Sequence, residues 1–327
     1  MHVGLIGTPG PDRFQDNIAD ALRQMGHRVT ELGDALVARG GRVATRTADL
    51  VFTAMPGVER RYQHRAVRSA LEHECDAVIS TAGGLSPDAV SGLRDNGVPV
   101  ALWFPDSVAN MFRQRMLLAP YNALFFKDPL LVRRLRDTLN LPVWYLPEAC
   151  NPHRHRPVGE PASRPTIVVV GSTYPSRLLL VRRLLDAGIP MTIYGAATPR
   201  WAAHLLPPGL HRGRYLVGED KARVFRGAAG VLNNLHPAEM HGVNCRLFEA
   251  AGSGAAVLCE RRPVLDELFD TEREVVPFST FDELLEQAKA LIADPSLTRD
   301  VGDAASKRAH AEHTYELRLE TILDRLA

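Results

Sequence analysis

The alternation of short apolar runs with helical patterns is the feature that most constrains the fold of this chain. In the first half, the runs of strand length are residues 2–6, 49–54, 77–80, 98–104 and 122–127. The helical patterns between and after them cover residues 16–25, 65–74, 86–96 and 128–139. Strands that are joined by helical crossovers form parallel sheets. The first half therefore predicts a parallel α/β domain.

The same alternation restarts after a proline-rich segment. Residues 151–165 contain four prolines and no apolar period, which favours a linker. Beyond it, the predicted strands are residues 166–170, 191–194, 230–233, 256–260 and 275–278. The predicted helices are residues 176–187, 220–226, 245–252, 281–293 and a final long helix over 303–327. We therefore expect two Rossmann-like domains, residues 1–155 and 156–305, followed by a C-terminal helix over residues 306–327.

Charge and composition exclude several classes of protein. The chain has 39 Lys and Arg against 38 Asp and Glu, without the basic excess of a nucleic-acid-binding protein. No window approaches the roughly 20 apolar residues of a membrane span, and the N-terminus lacks the pattern of a signal peptide. The four cysteines are scattered and have no metal-ligand spacing. The sequence thus predicts a cytoplasmic protein without a nucleic-acid partner or a membrane span.

Two further patterns argue against a cofactor or a metal. Gly4, Gly7 and Gly10 do not match the G-x-G-x-x-G fingerprint, which disfavours a dinucleotide-dependent dehydrogenase. His153 and His155 have a spacing that suits a metal, but their proline-rich surroundings favour solvated histidines. No Asp-x-Asp motif is present. We expect no bound cofactor and no metal.

Three stretches in the second half, residues 170–177, 240–260 and 310–318, carry a family resemblance. With residues 103–106, 121–128 and 145–149 they resemble the CgeB-like (spore maturation protein type) group of GT-B glycosyltransferases, which is related to family 4 glycosyltransferases. The resemblance implies an α/β GT-B fold with two facing Rossmann-like domains, the first on the acceptor side and the second binding the nucleotide sugar. It also implies that the C-terminal helix crosses back to the first domain.

The donor-binding candidates centre on the predicted helix 245–252. Gly242, Val243 and Asn244 lead into its N-terminus, where free N–H groups and the helix dipole favour a diphosphate. Arg246 could add a charge-assisted contact. By resemblance to family 4, Glu249 accepts hydrogen bonds from both ribose hydroxyls.

Other donor-binding candidates follow predicted strands. Gly171 and Ser172 lie at a strand end, where open α/β sheets bind ligands. Arg177 is a candidate for the diphosphate or an ordinary surface arginine, and Tyr194 is placed to pack against the base. Lys221 is interpreted as a solvated helix residue rather than a ligand.

The catalytic and acceptor-side candidates are fewer. The first Glu of the family 4 E-x7-E motif falls at His241, with Glu239 two residues upstream, so the residue that holds the transferred sugar stays open. Gly7 and Asp106 follow predicted strands of the first domain and are the acceptor-side candidates. His241 and Asp106 are also the candidate catalytic residues, although Asp106 is equally suited to cap a following helix.

The resemblance implies a glycosyltransferase of the hexosyltransferase type that moves a sugar, with retention, from a nucleoside diphosphate sugar to a hydroxyl of a small-molecule or glycan acceptor. Helix dipole and basic side chains would stabilise the leaving diphosphate without a metal. The alternatives are a nucleotide-sugar-binding GT-B protein without catalysis, and a nucleotide-sugar epimerase. The sequence does not indicate the donor base, the acceptor or the oligomeric state.

Overall fold

The chain forms two compact α/β units. A computed structural model describes residues 1–33, 47, 50–52, 54–107, 114–196 and 200–327. The first unit comprises residues 1–147 and 315–327, and the second comprises residues 148–314. Each unit contains one parallel sheet with helices connecting its strands. The expected fold class, with two Rossmann-like domains, is confirmed.

In the first unit the described strands form a sheet in the order β2-β1-β3-β4-β5-β6. The strands are β1 (His2–Ile6), β2 (Arg28–Glu31), β3 (Ala77–Ser80), β4 (Val100–Phe104), β5 (Ala123–Phe126) and β6 (Val143–Tyr145). The helices are α1 (Phe14–Gln24), α2 (Pro56–Glu72), α3 (Pro87–Arg94) and α4 (Pro129–Leu139), with a 3-10 turn at Gln114–Leu117. Every residue of β1, β3, β4 and β5 is buried, as expected for parallel strands that are covered on both faces.

In the second unit the described strands form a sheet in the order β11-β10-β9-β7-β8. The strands are β7 (Arg164–Val170), β8 (Met191–Tyr194), β9 (Ala228–Asn233), β10 (Val257–Glu260) and β11 (Val276–Phe278). The helices are α5 (Pro175–Asp186), α6 (Gly218–Gly227), α7 (Cys245–Gly252), α8 (Leu265–Leu268), α9 (Phe281–Ala293) and α10 (Pro295–Glu312), with a 3-10 turn at Arg200–Leu205. All neighbouring strands are parallel.

The C-terminal segment corrects one expectation. Residues 303–327 do not form a single helix, because α10 ends at Glu312 and a separate helix, α11, covers Tyr315–Asp324. Between them the backbone pairs elsewhere: the N–H of Cys150 donates to the carbonyl of His313 over 2.8 Å, and Cys150 forms a parallel bridge with Thr314. The break lets α11 join the first unit.

Aromatic packing explains how α11 is held in the first unit. Tyr315 is 1% exposed, and its ring centroid lies 5.9 Å from that of Phe14 on α1 and 5.8 Å from that of Trp103 on β4. Phe14 and Trp103 contact each other edge to face at 4.7 Å. Buried aromatic pairs of this kind contribute more to stability than the burial of their surface area alone would give.

Two short edge strands and one helix differ from the sequence prediction. β2 and β6 are edge strands of four and three residues; β2 is polar at Arg28, Thr30 and Glu31, whereas β6 is apolar but very short. The predicted strand at 49–54 is wrong, because Leu50–Phe52 and Ala54 are helical, whereas Asp49 and Thr53 lie outside the described residues. Leu50 and Val51 are exposed and Phe52 is buried, which is the pattern of a surface helix rather than of a strand covered on both faces.

Helix α7 packs unusually closely against α10. A Cβ placed on Gly302 of α10 would overlap the carbonyl oxygen of Gly254, which follows α7. Ser306, one turn further along α10, donates to the carbonyl of Gly252 over 3.1 Å. The contact therefore has no room for a side chain at position 302, and it fixes one face of α7.

No helix in the described part of the chain has both the length and the apolar character that crossing a bilayer requires.

Candidate functional site

The second sheet reverses its strand order between β7 and β9. β8 lies on one side of β7, whereas β9, β10 and β11 follow on the other. In open parallel sheets, ligands bind in the crevice at the carboxyl ends of such a pair of strands. Gly171 and Ser172 follow β7, and Asn234 follows β9. The sequence-predicted Gly171 and Ser172 therefore lie at the position where sheets of this type bind ligands.

The backbone at this edge is exceptionally close-packed. Gly171 and Gly195 have φ angles of +133° and +144°, which favour glycine. The N–H of Gly171 donates to the carbonyl of Tyr194 over 2.9 Å, and a Cβ placed on Gly195 would overlap the carbonyl oxygen of Gly171. Tyr194 itself is 7% exposed, with the guanidinium of Arg214 5.9 Å from its ring centroid.

Arg177 of α5 is buried and firmly held at the switch point. Its Nε donates to Asn234 Oδ1 over 2.8 Å, its Nη2 to the Asn234 carbonyl over 2.7 Å, and its Nη1 to the Ser172 carbonyl over 2.8 Å. A guanidinium has five N–H donors, so two are not engaged by these bonds. The interpretation of Arg177 as a surface arginine is wrong, because its residue exposure is only 6%.

Tyr174 completes the support of Arg177. Its hydroxyl donates to the carbonyl of Asn234 over 2.8 Å, and the guanidinium of Arg177 lies 4.4 Å from its ring centroid. Burial raises the pKa of Tyr174 to about 12, so the phenol remains protonated and can donate at neutral pH. The residues around Arg177 thus fix its position before any ligand arrives.

A second arginine converges on the same glycine. A Cβ placed on Gly171 would lie 3.4 Å from Arg177 Nη1 and 3.8 Å from Arg246 Nη2. Burial lowers the pKa of the Arg177 guanidinium, and the charge of Arg246 lowers it further. Two adjacent guanidinium groups repel each other unless an anion lies between them. The arrangement is therefore suited to an anionic ligand.

Arg246 belongs to the first turn of α7, which Asn244 caps. The Asn244 side-chain oxygen accepts from the N–H of Arg246 over 3.1 Å, and its carbonyl accepts from the N–H of Leu247 over 3.2 Å. Gly242 and Val243 are buried, and Val243 is 1% exposed. Asn244 thus accepts hydrogen bonds from two N–H groups at the helix N-terminus, where the sequence predicts a diphosphate. The side chain of Arg246 supplies the local positive charge.

Glu249 lies on the next turn of α7 and is bound on both oxygens. Its Oε2 pairs with Arg246, and its Oε1 lies 3.0 Å from Lys221 Nζ on α6. The Lys221 and Glu249 side chains are 3% and 5% exposed. The interpretation of Lys221 as a solvated residue is wrong. The polar N-terminal half of α6 concealed it, because nothing in that pattern distinguishes a lysine that faces inwards.

The proline-rich segment is more ordered than its composition suggests. His155 is fully buried; its Nδ1 accepts from the N–H of Asn151 over 2.9 Å, and its Nε2 lies 3.9 Å from Glu249 Oε1. His153, in contrast, is exposed. The expectation of a solvated histidine is therefore wrong for His155, which packs into the second unit close to Glu249.

His241 lies in the segment that joins β9 to α7, and it is half-buried. This segment is anchored by Arg262, whose Nε donates to the carbonyl of Glu239 over 2.8 Å and whose Nη2 lies 3.0 Å from Glu260 Oε1. Glu260 in turn accepts from the N–H of Leu235 over 2.9 Å. The end of β10 thus holds the loop that carries His241.

Cys245, at the first position of α7, is unsuited to act as a nucleophile. Burial raises the pKa of its thiol well above the usual value, and the charges of Glu148 and Glu249 raise it further. A thiol is nucleophilic only as the thiolate, which this environment disfavours. Glu148 is buried near this position within the second unit.

The first sheet has its own switch point, between β1 and β3. Gly7 follows β1, and a Cβ placed on it would overlap Thr81 Oγ1 and lie 2.6 Å from Gln15 Oε1. Gln15 is 2% exposed, and neither its amide oxygen nor its amide nitrogen has a hydrogen-bond partner among the described residues. A glutamine in the first turn of a helix gives no sequence signal of this kind, so Gln15 was missed.

Asp106 lies two residues beyond β4 and is exposed. Gly7 and Asp106 thus both lie at the carboxyl edge of the first sheet, in the first unit. The alternative that Asp106 caps a following helix concerns residues 108–113, which lie outside the described ranges.

The second half of the chain is similar to a known protein family. Residues 177–324, just under half of the sequence, match a family model described as "Glycosyl transferase-like". No curated protein matches the chain.

Solved structures are similar over almost the whole length. Sucrose-phosphate synthase from Thermosynechococcus elongatus has a TM-score of 0.71 and 13% identity over 98% of this chain and 97% of that one. A glycosyltransferase from Rickettsia africae has a TM-score of 0.66 and 11% identity over 99% and 97%. Anabaena Alr3699/HepE in complex with UDP has a TM-score of 0.63 and 12% identity over 99% of both chains.

At these identities the likeness establishes the fold, which is GT-B with two Rossmann-like domains. Together with the family match, it supports a GT-B glycosyltransferase. The CgeB-like subgroup stays a prediction.

Proposed function

We propose that the protein transfers a sugar from a nucleoside diphosphate sugar to a hydroxyl group of a small-molecule or glycan acceptor. The observation that carries the proposal is the pair of arginines at Gly171. Arg177 and Arg246 both approach this glycine at the switch point of the second sheet, where ligands of such sheets bind. UDP is present in the similar Anabaena structure, which supports a nucleotide as the ligand.

The donor would lie across the carboxyl edge of the second sheet. Gly171, Ser172, Arg177 and Arg246 would bind the diphosphate, and Tyr194 would pack against the base. The N-terminal segment of α7, with Gly242, Val243 and Asn244, would add its dipole. Glu249 would accept hydrogen bonds from the ribose hydroxyls, as the resemblance to family 4 glycosyltransferases implies.

In the reaction, the bond between the anomeric carbon and the diphosphate oxygen breaks, and a bond to the acceptor oxygen forms as the acceptor hydroxyl passes its proton to the departing diphosphate. Arg177 and Arg246 would stabilise the negative charge of the departing diphosphate, the role that a metal performs in other transferases. We assign the transferred sugar to the segment of His241, and we propose retention on the basis of the family 4 resemblance.

The acceptor would bind at the carboxyl edge of the first sheet. Gly7 packs directly against Thr81 and Gln15 at this edge, and Asp106 supplies an exposed carboxylate. Gln15 is a further acceptor-side candidate, because a buried amide without a partner gains a hydrogen bond when a ligand hydroxyl arrives.

We expect Asp106→Ala to lower the rate of sugar transfer by about tenfold or more, since a hydrogen bond to a charged group contributes roughly 1.5–3 kcal/mol. The affinity for the nucleoside diphosphate should not change. Titration calorimetry with the diphosphate and a transfer assay measure the two quantities. Wild-type turnover in this variant would remove Asp106 from the site.

The test of the proposed function is a thermal-shift panel of UDP, dTDP, GDP, ADP, CMP and NAD(H) without added metal. A ligand at about 100 times its dissociation constant adds roughly 2.7 kcal/mol to the free energy of unfolding. We expect one nucleoside diphosphate to raise the melting temperature of the wild type, and Glu249→Ala to lose this response. A response to NAD(H) alone, or to none of the diphosphates, would contradict the proposal.

The sugar form of the nucleotide that binds then separates the alternatives. Transfer to an acceptor, or slow hydrolysis of the donor without one, supports a transferase. Isomerisation of the donor in the absence of any acceptor would instead indicate an epimerase. Tight binding with neither reaction would indicate a nucleotide-sugar-binding protein.

A further inference from the structure

We propose that Lys221 is a positioning residue that orients Glu249, and that this pair makes the donor site select a ribonucleotide over its 2′-deoxy form. The inference rests on the proposed function, since it concerns the same nucleotide site. It adds a residue that lies outside the donor-binding set, and it defines the class of nucleotide that the site accepts.

The geometry shows how the carboxylate is shared. Glu249 Oε1 lies 3.0 Å from Lys221 Nζ, whereas Oε2 pairs with Arg246. Both the Lys221 and the Glu249 side chains are at most 5% exposed, so water does not screen their interaction effectively. Lys221 comes from α6 and Glu249 from α7, so the ion pair fixes the carboxylate from a second helix.

Arg246 has two demands on its guanidinium. Its Nη1 pairs with Glu249, and its Nη2 is the atom that lies close to Gly171. A diphosphate at Gly171 would therefore draw on Nη2 of the same guanidinium whose Nη1 pairs with Glu249. If Arg246 turns towards the phosphate, Lys221 keeps its contact with Oε1, the oxygen that also lies 3.9 Å from His155 Nε2.

The carboxylate retains acceptor capacity while it is held in this way. Each carboxylate oxygen has two lone pairs, so Glu249 can bind Lys221 and still accept from hydroxyl groups. A ribose offers its 2′-hydroxyl as a donor, and a 2′-deoxyribose does not. Selectivity at this position therefore depends on the orientation of Glu249, which Lys221 helps to set through its contact with Oε1.

A purely structural ion pair between α6 and α7 would give a different result. It would change the stability of the second unit but would not change the ratio of affinities for two ligands that differ only at the 2′ position. This ratio is the quantity that separates positioning from stabilisation.

The experiment is isothermal titration calorimetry of the full chain with the ribo and 2′-deoxy forms of UDP, GDP, ADP and CDP. We expect the wild type to bind the ribo form of its preferred nucleotide about tenfold more tightly, the factor that corresponds to about 1.4 kcal/mol. Lys221→Met should bring the ratio close to one, and Lys221→Arg should restore it. Lys221→Gln, which keeps a polar side chain, provides a second neutral variant if Lys221→Met does not fold.

Asp303→Asn is the matched control, because it removes an ion pair of the same unit, at 2.6 Å from Arg226, away from α7's charged residues. It should leave the ratio at the wild-type value. An unchanged ratio in the folded neutral Lys221 variant would overturn the inference, as would a wild type that shows no preference for the ribo form. Binding of dTDP alone, a 2′-deoxy nucleotide, would overturn the inference only, whereas absence of binding by every nucleoside diphosphate, dTDP included, would contradict the proposed function itself.

Discussion

Arg177→Met is expected to lower the affinity for the nucleoside diphosphate by about 100-fold. Each charge-assisted hydrogen bond contributes roughly 1.5–3 kcal/mol, and Arg177 has two N–H donors beyond those that bind Ser172 and Asn234. The loss of two such bonds exceeds about 2.7 kcal/mol, which corresponds to two powers of ten in the dissociation constant. Titration calorimetry at a temperature where the variant is folded measures the change.

Arg182→Met provides the control on the same helix. Arg182 is about half exposed and pairs with Asp186 over 2.9 Å. Exposed pairs of this type contribute at most about 1 kcal/mol to stability, and this one is not part of the switch-point cluster. The affinity of the Arg182→Met variant for the diphosphate should equal that of the wild type. If Arg177→Met also keeps the wild-type affinity, the diphosphate does not bind at Gly171.

Gly195→Ala is expected to lower the free energy of unfolding of the second unit by about 3 kcal/mol and to weaken nucleotide binding. The added methyl group would overlap the carbonyl oxygen of Gly171 at a φ of +144°, and overpacking costs roughly 1–3 kcal/mol in addition to the backbone strain. The group that the methyl would meet belongs to the main chain of Gly171, which cannot rotate away as a flexible side chain would. Denaturant unfolding monitored by circular dichroism measures the loss.

Gly188→Ala separates overlap from strain. Gly188 has a φ of +82°, and a Cβ there would meet nothing within 4 Å. The substitution should therefore cost only the left-handed backbone penalty, about 1–2 kcal/mol, and should leave nucleotide binding unchanged. Equal losses in the two variants would show that the approach of Gly195 to Gly171 does not limit the structure.

Much of the fold follows from periodicity. The buried strands β4 and β5 are continuous apolar runs, because parallel strands are covered on both faces, and such runs are visible in the sequence. The edge strand β2 buries less and carries no such signal. The break at residues 313–314 also escapes the sequence, because it depends on pairing with Cys150, which is distant along the chain.

In the candidate site, too, some residues are predictable from the sequence and others are not. Gly171 and Arg246 are placed by local rules, since one ends a strand and the other begins a helix. Lys221 and His155 gain their position near Glu249 only through tertiary packing. The sequence around each of these two residues is typical of a solvated segment, one a polar helix and the other a proline-rich stretch. Only the structure therefore reveals that the lysine and the histidine are buried.

The close contact between α7 and α10 limits which changes the chain can tolerate. Gly302 lies on a different helix from Arg246 and Glu249. A side chain at position 302 would nevertheless displace α7 from α10, because the carbonyl of Gly254 leaves no space between the two helices. Distance from the proposed nucleotide site is therefore a poor guide to which positions can vary. A substitution at the contact between α7 and α10 could adjust that site while every residue proposed to contact the nucleotide keeps its native form.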